Sequence, residues 1–174
     1  RFDTKKCDAI NGSHMRLLST DEITHRALPF LKADGVVSDP VSDADAQLLE
    51  LAMPLVTERI NKLTEASGLL SFLFVDEEAF TVEPTDAEKQ LGETGRPVVQ
   101  ASYDALKDLP TWSTDAIHTA LQATLVDGLG LKPRNAFGPV RVAITGSRIS
   151  PPLFESMELL GRERSMGRLQ RALG

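Results

Sequence analysis

The chain has 174 residues, 41% hydrophobic and 25% charged, with a formal net charge of −6. That balance suits one large or two small globular domains and excludes a disordered chain. No apolar run approaches the roughly 20 residues needed to span a bilayer, so no membrane partner is expected. An acidic whole excludes a general nucleic-acid binder, DNA included, and 5% aromatic content is thin for stacking platforms that grip single strands.

The sequence begins with Arg1 and polar residues, without an initiating Met or a signal peptide, and reads as a piece of a longer polypeptide. Its one cysteine, Cys7, cannot form an internal disulfide, which fits a reducing, cytoplasmic compartment. In a helical pattern with Ile10, Cys7 is expected to be a buried structural thiol.

Asp3 or Thr4 can cap a first helix, expected to end at the turn dipeptide Asn11-Gly12 with a short continuation over 13–18. Ser19 and Glu22 form a capping-box start for a helix carrying Ile23, Ala27, Leu28 and Leu31 and stopped by Gly35. Ser42 opens the next helix, which Pro54 should kink or restart. The apolar run Leu69–Val75 fits a buried strand or a buried helix; helix is expected, because no other segment offers a strand to pair with it. Residues 76–97, acidic and holding Pro84, Gly92, Gly95 and Pro97, read as a hinge, with Asp76-Glu77-Glu78 as a solvated loop and a short helix over Asp86–Leu91.

Pro97 opens a helix that runs up to Pro110, and Ser113-Thr114-Asp115 caps a long one carrying Ile117, Leu121, Leu125 and Leu129. Three short helices are then expected near 134–145, 151–160 and 162–173, the middle one started by Ser150 as cap with Pro151 and Pro152 in its first turn. The predicted fold is therefore all-α with two helical lobes, 1–82 and 83–174.

Chemistry is sparse. His14, His25 and His118 lack partners at metal-ligand spacing, so no metal is expected. Nucleotide-binding glycine motifs, a nucleophile elbow and a paired acid and base are all missing, so no catalytic residue and no cofactor are assigned to this chain. Charge is the informative signal. Residues 131–174 carry eight basic and three acidic side chains, whereas residues 1–130 carry eleven basic and twenty-two acidic. A basic lobe on an acidic body steers a polyanion to one end. Within it, Arg141 and Arg148 flank the helix start at Ser150, whose backbone N–H groups attract anions. Arg162, Arg164 and Arg168 fit backbone-phosphate contacts or a solvated face equally.

Three stretches carry a family resemblance. Arg141-Val142-Ala143-Ile144-Thr145-Gly146, Ser150-Pro151-Pro152-Leu153-Phe154-Glu155 and Leu159-Leu160-Gly161-Arg162-Glu163-Arg164 resemble the C-terminal end of bacterial glutamyl-tRNA synthetases. Phe2-Asp3, Asn11-Gly12 and Arg16 resemble the entry to that region. The resemblance implies a two-lobe helical module that grips the anticodon loop of tRNA-Glu, as a cytoplasmic monomer. A catalytic domain elsewhere in the parent would use ATP, Mg and glutamate. It further implies that Arg141 contacts the anticodon loop; Arg148, beside the helix start, is expected to bind RNA from its position alone. By the same resemblance, Ser150, Pro151 and Leu153 would line the pocket for anticodon bases, and Arg59, in the first lobe, would read the last anticodon base. Gly138 stands where some relatives carry Gln, and Ala123 where some carry Arg. Arginine suits such work, since it bonds base edges bidentately and stacks on flat rings. The competing expectation is a helical protein-docking module that uses the stripe 117–129.

Overall fold

A computed structural model describes residues 3–174, and every regular element among them is helical. Phe2 of the entry motif lies outside the described residues. The chain forms two compact units, one ending at Val75 and the other covering Asp76–Gly174.

The first unit holds α1 (Thr4–Met15), α2 (Thr20–Ala33), α3 (Asp43–Thr57) and α4 (Glu65–Phe74). Asp3, Ser19 and Ser42 each cap the following helix by accepting a backbone N–H three residues on. Helices α2, α3 and α4 pack on one another around Ile23, Ala27, Leu31, Leu49, Met53, Val56, Leu70 and Leu73, all buried. The apolar run before Val75 is helical, as expected: Ala66, Leu70 and Leu73 recur at helical spacing on its buried side.

Two local expectations are corrected. Helix α1 does not stop at Asn11-Gly12 but continues to Met15. Gly12 is buried there, and Asn11 donates to the Asn61 carbonyl, so this pair serves a close approach to residue 61 and not a turn. Cys7 is exposed, because α1 buries only Gly12 and Met15 near its C-terminal end. Of the two outcomes expected at Pro54, a restart does not occur: α3 runs on through it.

The second unit holds α5 (Pro84–Gln90), α6 (Arg96–Leu106), α7 (Thr114–Leu121), a π-helical stretch (Gln122–Gly128), α8 (Pro133–Thr145), α9 (Leu153–Leu160) and α10 (Arg162–Leu173). Helix α6 packs against α7, α8 and α10, and α9 against α7. The stripe proposed for protein docking is core: Ile117, Leu121 and Leu125 are fully buried, and only Leu129, beyond the helix end, faces solvent. Trp112 donates from its indole N–H to the Met157 carbonyl at 2.9 Å, while Arg162 lies over its ring and donates to the Leu109 carbonyl.

The second unit begins at Asp76. Glu77 is not a solvated loop residue. Its carboxylate accepts from Arg164 at 2.7 Å and from Arg168 at 2.7 Å, and its carbonyl accepts from Arg171 at 2.8 Å. Arg168 is 1% exposed, donates to the Ile144 carbonyl at 2.6 Å and sits 3.7 Å above the Phe80 ring. It ties α10, the end of α8 and the 76–80 turn together, so it is a core residue and not a phosphate contact. Residues 76–97, expected as a hinge, belong to this unit.

Candidate nucleic-acid interface

Helix α8 ends at Gly146, whose φ of 81° is the left-handed turn that favours glycine. A Cβ there would lie 2.7 Å from the Thr81 carbonyl oxygen, and the Gly146 carbonyl accepts the Glu83 N–H at 2.8 Å. The closeness of glycine therefore pins the start of α5 to the end of α8. Asp86, in the first turn of α5, thereby meets the backbone and side chain of Arg148 in the loop after α8.

That loop is not a simple helix cap. Helix α9 begins at Leu153 after Pro152, without a side-chain cap, so the expected Ser150 cap is corrected. The Ser150 hydroxyl instead accepts from Arg141 Nη1 at 2.6 Å, and the Pro151 carbonyl accepts from the same nitrogen at 2.7 Å. Ser150, Pro151 and Leu153 are buried. Ser150 and Pro151 form the anchor behind Arg141, and none of the three lines the open pocket beside it.

The pocket has a volume of about 370 Å³ and is lined by Gln90, Pro133, Arg134, Phe137, Gly138, Arg141 and Arg148. Arg134, Phe137, Gly138 and Arg141 recur at three- and four-residue spacing, so one face of α8 supplies most of the wall. Arg148 closes another side. Its backbone N–H donates to Asp86 Oδ2 at 2.8 Å, and its Nε donates to Oδ1. The Ser147 hydroxyl adds a longer bond of 3.3 Å. These bonds, the backbone N–H foremost, hold the buried Asp86 carboxyl below its usual range, so it stays ionised. Phe137 meets Phe154 edge-on at 5.2 Å, and Phe154 stacks on His118 at 4.6 Å.

Arg141 and Arg148, singled out from sequence, thus line one pocket. Arg59 lies in the first unit, exposed, just past the end of α3. Sequence reasoning missed Gln90, Arg134, Phe137 and Asp86. The spacing 134, 137/138, 141 was readable as one helix face; Asp86 and Gln90 were not, since they arrive by tertiary packing of α5 on α8. Among the described residues, no cluster of His, Cys, Asp or Glu could hold a metal ion, and no helix is long and apolar enough to cross a membrane.

Several preorganised guanidinium groups, one apolar ring and an open mouth can take up a flat, electron-rich group or a phosphate. The comparisons agree with such a partner. The family model described as anticodon binding domain matches residues 22–173. The glutamate–tRNA ligase of Nocardioides sp. is 67% identical over 174 residues, which are all of this chain and 35% of that protein. That of Acidothermus cellulolyticus is 53% identical over 171 residues, 98% of this chain and 34% of that protein. The chain therefore spans about a third of the length of the curated relatives it matches. A crystal structure of a glutamate tRNA ligase from Elizabethkingia meningosepticum, 21% identical, shares the fold with a TM-score of 0.77 over 99% of this chain and 32% of that one. By the extent of these matches, the chain belongs to the anticodon-binding domain family.

Proposed function

We propose that this chain is the tRNA-reading module of a glutamate–tRNA ligase and grips the anticodon loop of tRNA-Glu. Its two units act as two lobes on that loop. Charging, with ATP, Mg and glutamate, falls to a catalytic domain elsewhere in the same protein, a monomer of the cytoplasm. The observation that carries the reading is the fixed aim of two pocket arginines. Arg141 is braced by the Ser150 hydroxyl and the Pro151 carbonyl, and Arg148 by Asp86, so both reach the pocket with little conformational freedom to lose.

In this reading an unstacked base enters beside Phe137, where the ring offers an edge or face for stacking. Arg141 and Arg148 donate to its carbonyl and ring-nitrogen acceptors, or to the flanking phosphate. Ser150 and Pro151 act one step back, setting the position of Arg141. Arg134, at the exposed mouth, supplies sequence-independent attraction. Arg59 reads a separate base from the first unit. Burial of the 117–129 stripe removes the surface that a protein-docking module would use.

A gel shift with a tRNA-Glu transcript and with the same transcript carrying another anticodon tests the proposal. Clear preference for the glutamate anticodon is expected. Equal binding to both would overturn it.

A further inference from the structure

The chain is poor in aromatic residues, yet three rings meet beside the pocket, one from each of α7, α8 and α9. His118 of α7 stacks on Phe154 of α9, with centroids 4.6 Å apart and planes inclined by 26°. Phe154 in turn meets Phe137 of α8 edge-to-face at 5.2 Å, and Phe137 lines the pocket. The rings therefore form a continuous row that starts in the pocket wall and ends at His118.

The row is not closed off in the core. Phe137 and Phe154 are half-buried, and His118 is exposed. Phe154 covers one face of the imidazole, and the opposite face is left to solvent. Among the described residues no hydrogen bond holds the imidazole nitrogens, so the stack on Phe154 sets the plane of the ring. An aromatic face already held at a set angle stacks an unstacked base at little cost in ordering. Every base has a π-face, so such a surface takes any of the four. The strand needed to bring that base is the one whose neighbouring base sits beside Phe137. The Phe137 and His118 centroids are 6.5 Å apart. Successive nucleotides in a stacked strand rise by about 3.4 Å, and an unstacked strand spans more, so an adjoining nucleotide reaches from one ring to the other. We propose that His118, backed by Phe154, stacks the nucleotide that adjoins the one held in the pocket. The contact adds affinity without choosing a base. The inference rests on the anticodon-reading role proposed above and adds a second nucleotide site to it.

The test is fluorescence anisotropy of the 174-residue chain with labelled anticodon stem-loops of tRNA-Glu. One loop is intact, and each of the others carries a single abasic nucleotide. His118→Ala should weaken binding of the intact loop about fivefold, the low end for one base stacked on an aromatic ring. One abasic loop should bind the unmodified chain just as weakly and lose nothing more to His118→Ala. His118→Phe, which keeps a ring and removes its nitrogens, should bind the intact loop as the unmodified chain does. Because His118 is exposed, both variants keep the core intact. Full affinity of His118→Ala for the intact loop overturns the proposal. So does a fivefold loss in His118→Ala that every abasic loop shows alike, or a His118→Phe variant as weak as His118→Ala. Where anticodon preference survives beside any of those results, only the stack is removed. If the unmodified chain binds a loop with an unrelated anticodon as tightly as its own, the anticodon-reading role fails first and this inference with it.

Discussion

Asp86 and Arg148 are joined twice, through the arginine's backbone N–H at 2.8 Å and through its guanidinium Nε. One carboxylate thus fixes both the path of the loop and the aim of a pocket cation. Charge counting alone says that removing this acid strengthens RNA binding. The geometry says the opposite, because Arg148 loses its fixed position. Asp86→Asn should weaken binding to a tRNA-Glu anticodon stem-loop by about 1 kcal/mol, the worth of an ordinary hydrogen bond. Tighter binding on titration would mean that Asp86 acts only as an unfavourable charge.

Arg141 carries the largest single effect expected in the pocket. Arg141→Ala should cost about 1–3 kcal/mol of RNA binding and blur anticodon preference. Arg141→Lys should not restore it, since a single ammonium cannot hold the Ser150–Pro151 anchor and also present a planar fork to a base. Isothermal titration with matched and swapped anticodons separates the two effects. Full rescue by lysine would reduce Arg141 to a point charge.

Arg168 is expected to matter for stability and not for RNA. Burial pushes its guanidinium down from its ordinary value, and Glu77 offsets part of that shift. Arg168→Met keeps the volume but leaves the Ile144 carbonyl without this donor and Glu77 with one cation fewer. A loss of about 3 kcal/mol in urea unfolding is expected, as for a broken buried pair. Trp112, the chain's single tryptophan, lies in the same unit and reports its unfolding. An unchanged midpoint with a shallower salt dependence of RNA binding would instead make Arg168 a phosphate contact.

Acid sensitivity follows from two carboxylates. Burial pushes the Glu77 carboxyl up, but hydrogen bonds from Arg168 and Arg164 outweigh it, and the net value lies below the ordinary 4.5. Asp86 lies below its ordinary 3.8, held there first by the Arg148 backbone N–H. For such groups the unfolded chain binds protons more readily than the folded one. Their stabilisation is complete above the ordinary values and is lost as pH falls through the depressed ones. Urea midpoints followed by Trp112 fluorescence should therefore drop steeply below about pH 4.5, and Glu77→Gln should start lower and vary less with pH. An equal slope in Glu77→Gln would remove Glu77 from this role.

How far the sequence carried the fold depended on the range of the forces involved. Caps at Asp3, Ser19, Ser42 and Ser113 are local, and the structure realises each of them. The π-helical stretch Gln122–Gly128 was not legible, because Ile117, Leu121 and Leu125 keep the spacing of an ordinary helix. The cap assigned to Ser150 was wrong for a different reason: a guanidinium nine residues upstream reaches its hydroxyl, a contact that local spacing does not encode. The arginines at 141 and 148 stood out by type and charge. The residues that aim or complete them, Asp86 and Gln90, lie about sixty and fifty residues away in a stretch read as a hinge. Charge runs were equally ambiguous: Arg164, Arg168 and Arg171 share one glutamate, and Arg168 among them is buried in the core.

The central claim is a location: the anticodon loop sits on the α8 face and the loop that follows it. Photocrosslinking reads this directly. A tRNA-Glu stem-loop with 4-thiouridine in its anticodon would be irradiated on the chain, and the joined peptides mapped by mass spectrometry. The account predicts adducts within residues 133–151, centred on Phe137, Arg141 and Arg148. Adducts confined to residues 162–173, with none on α8, would contradict it.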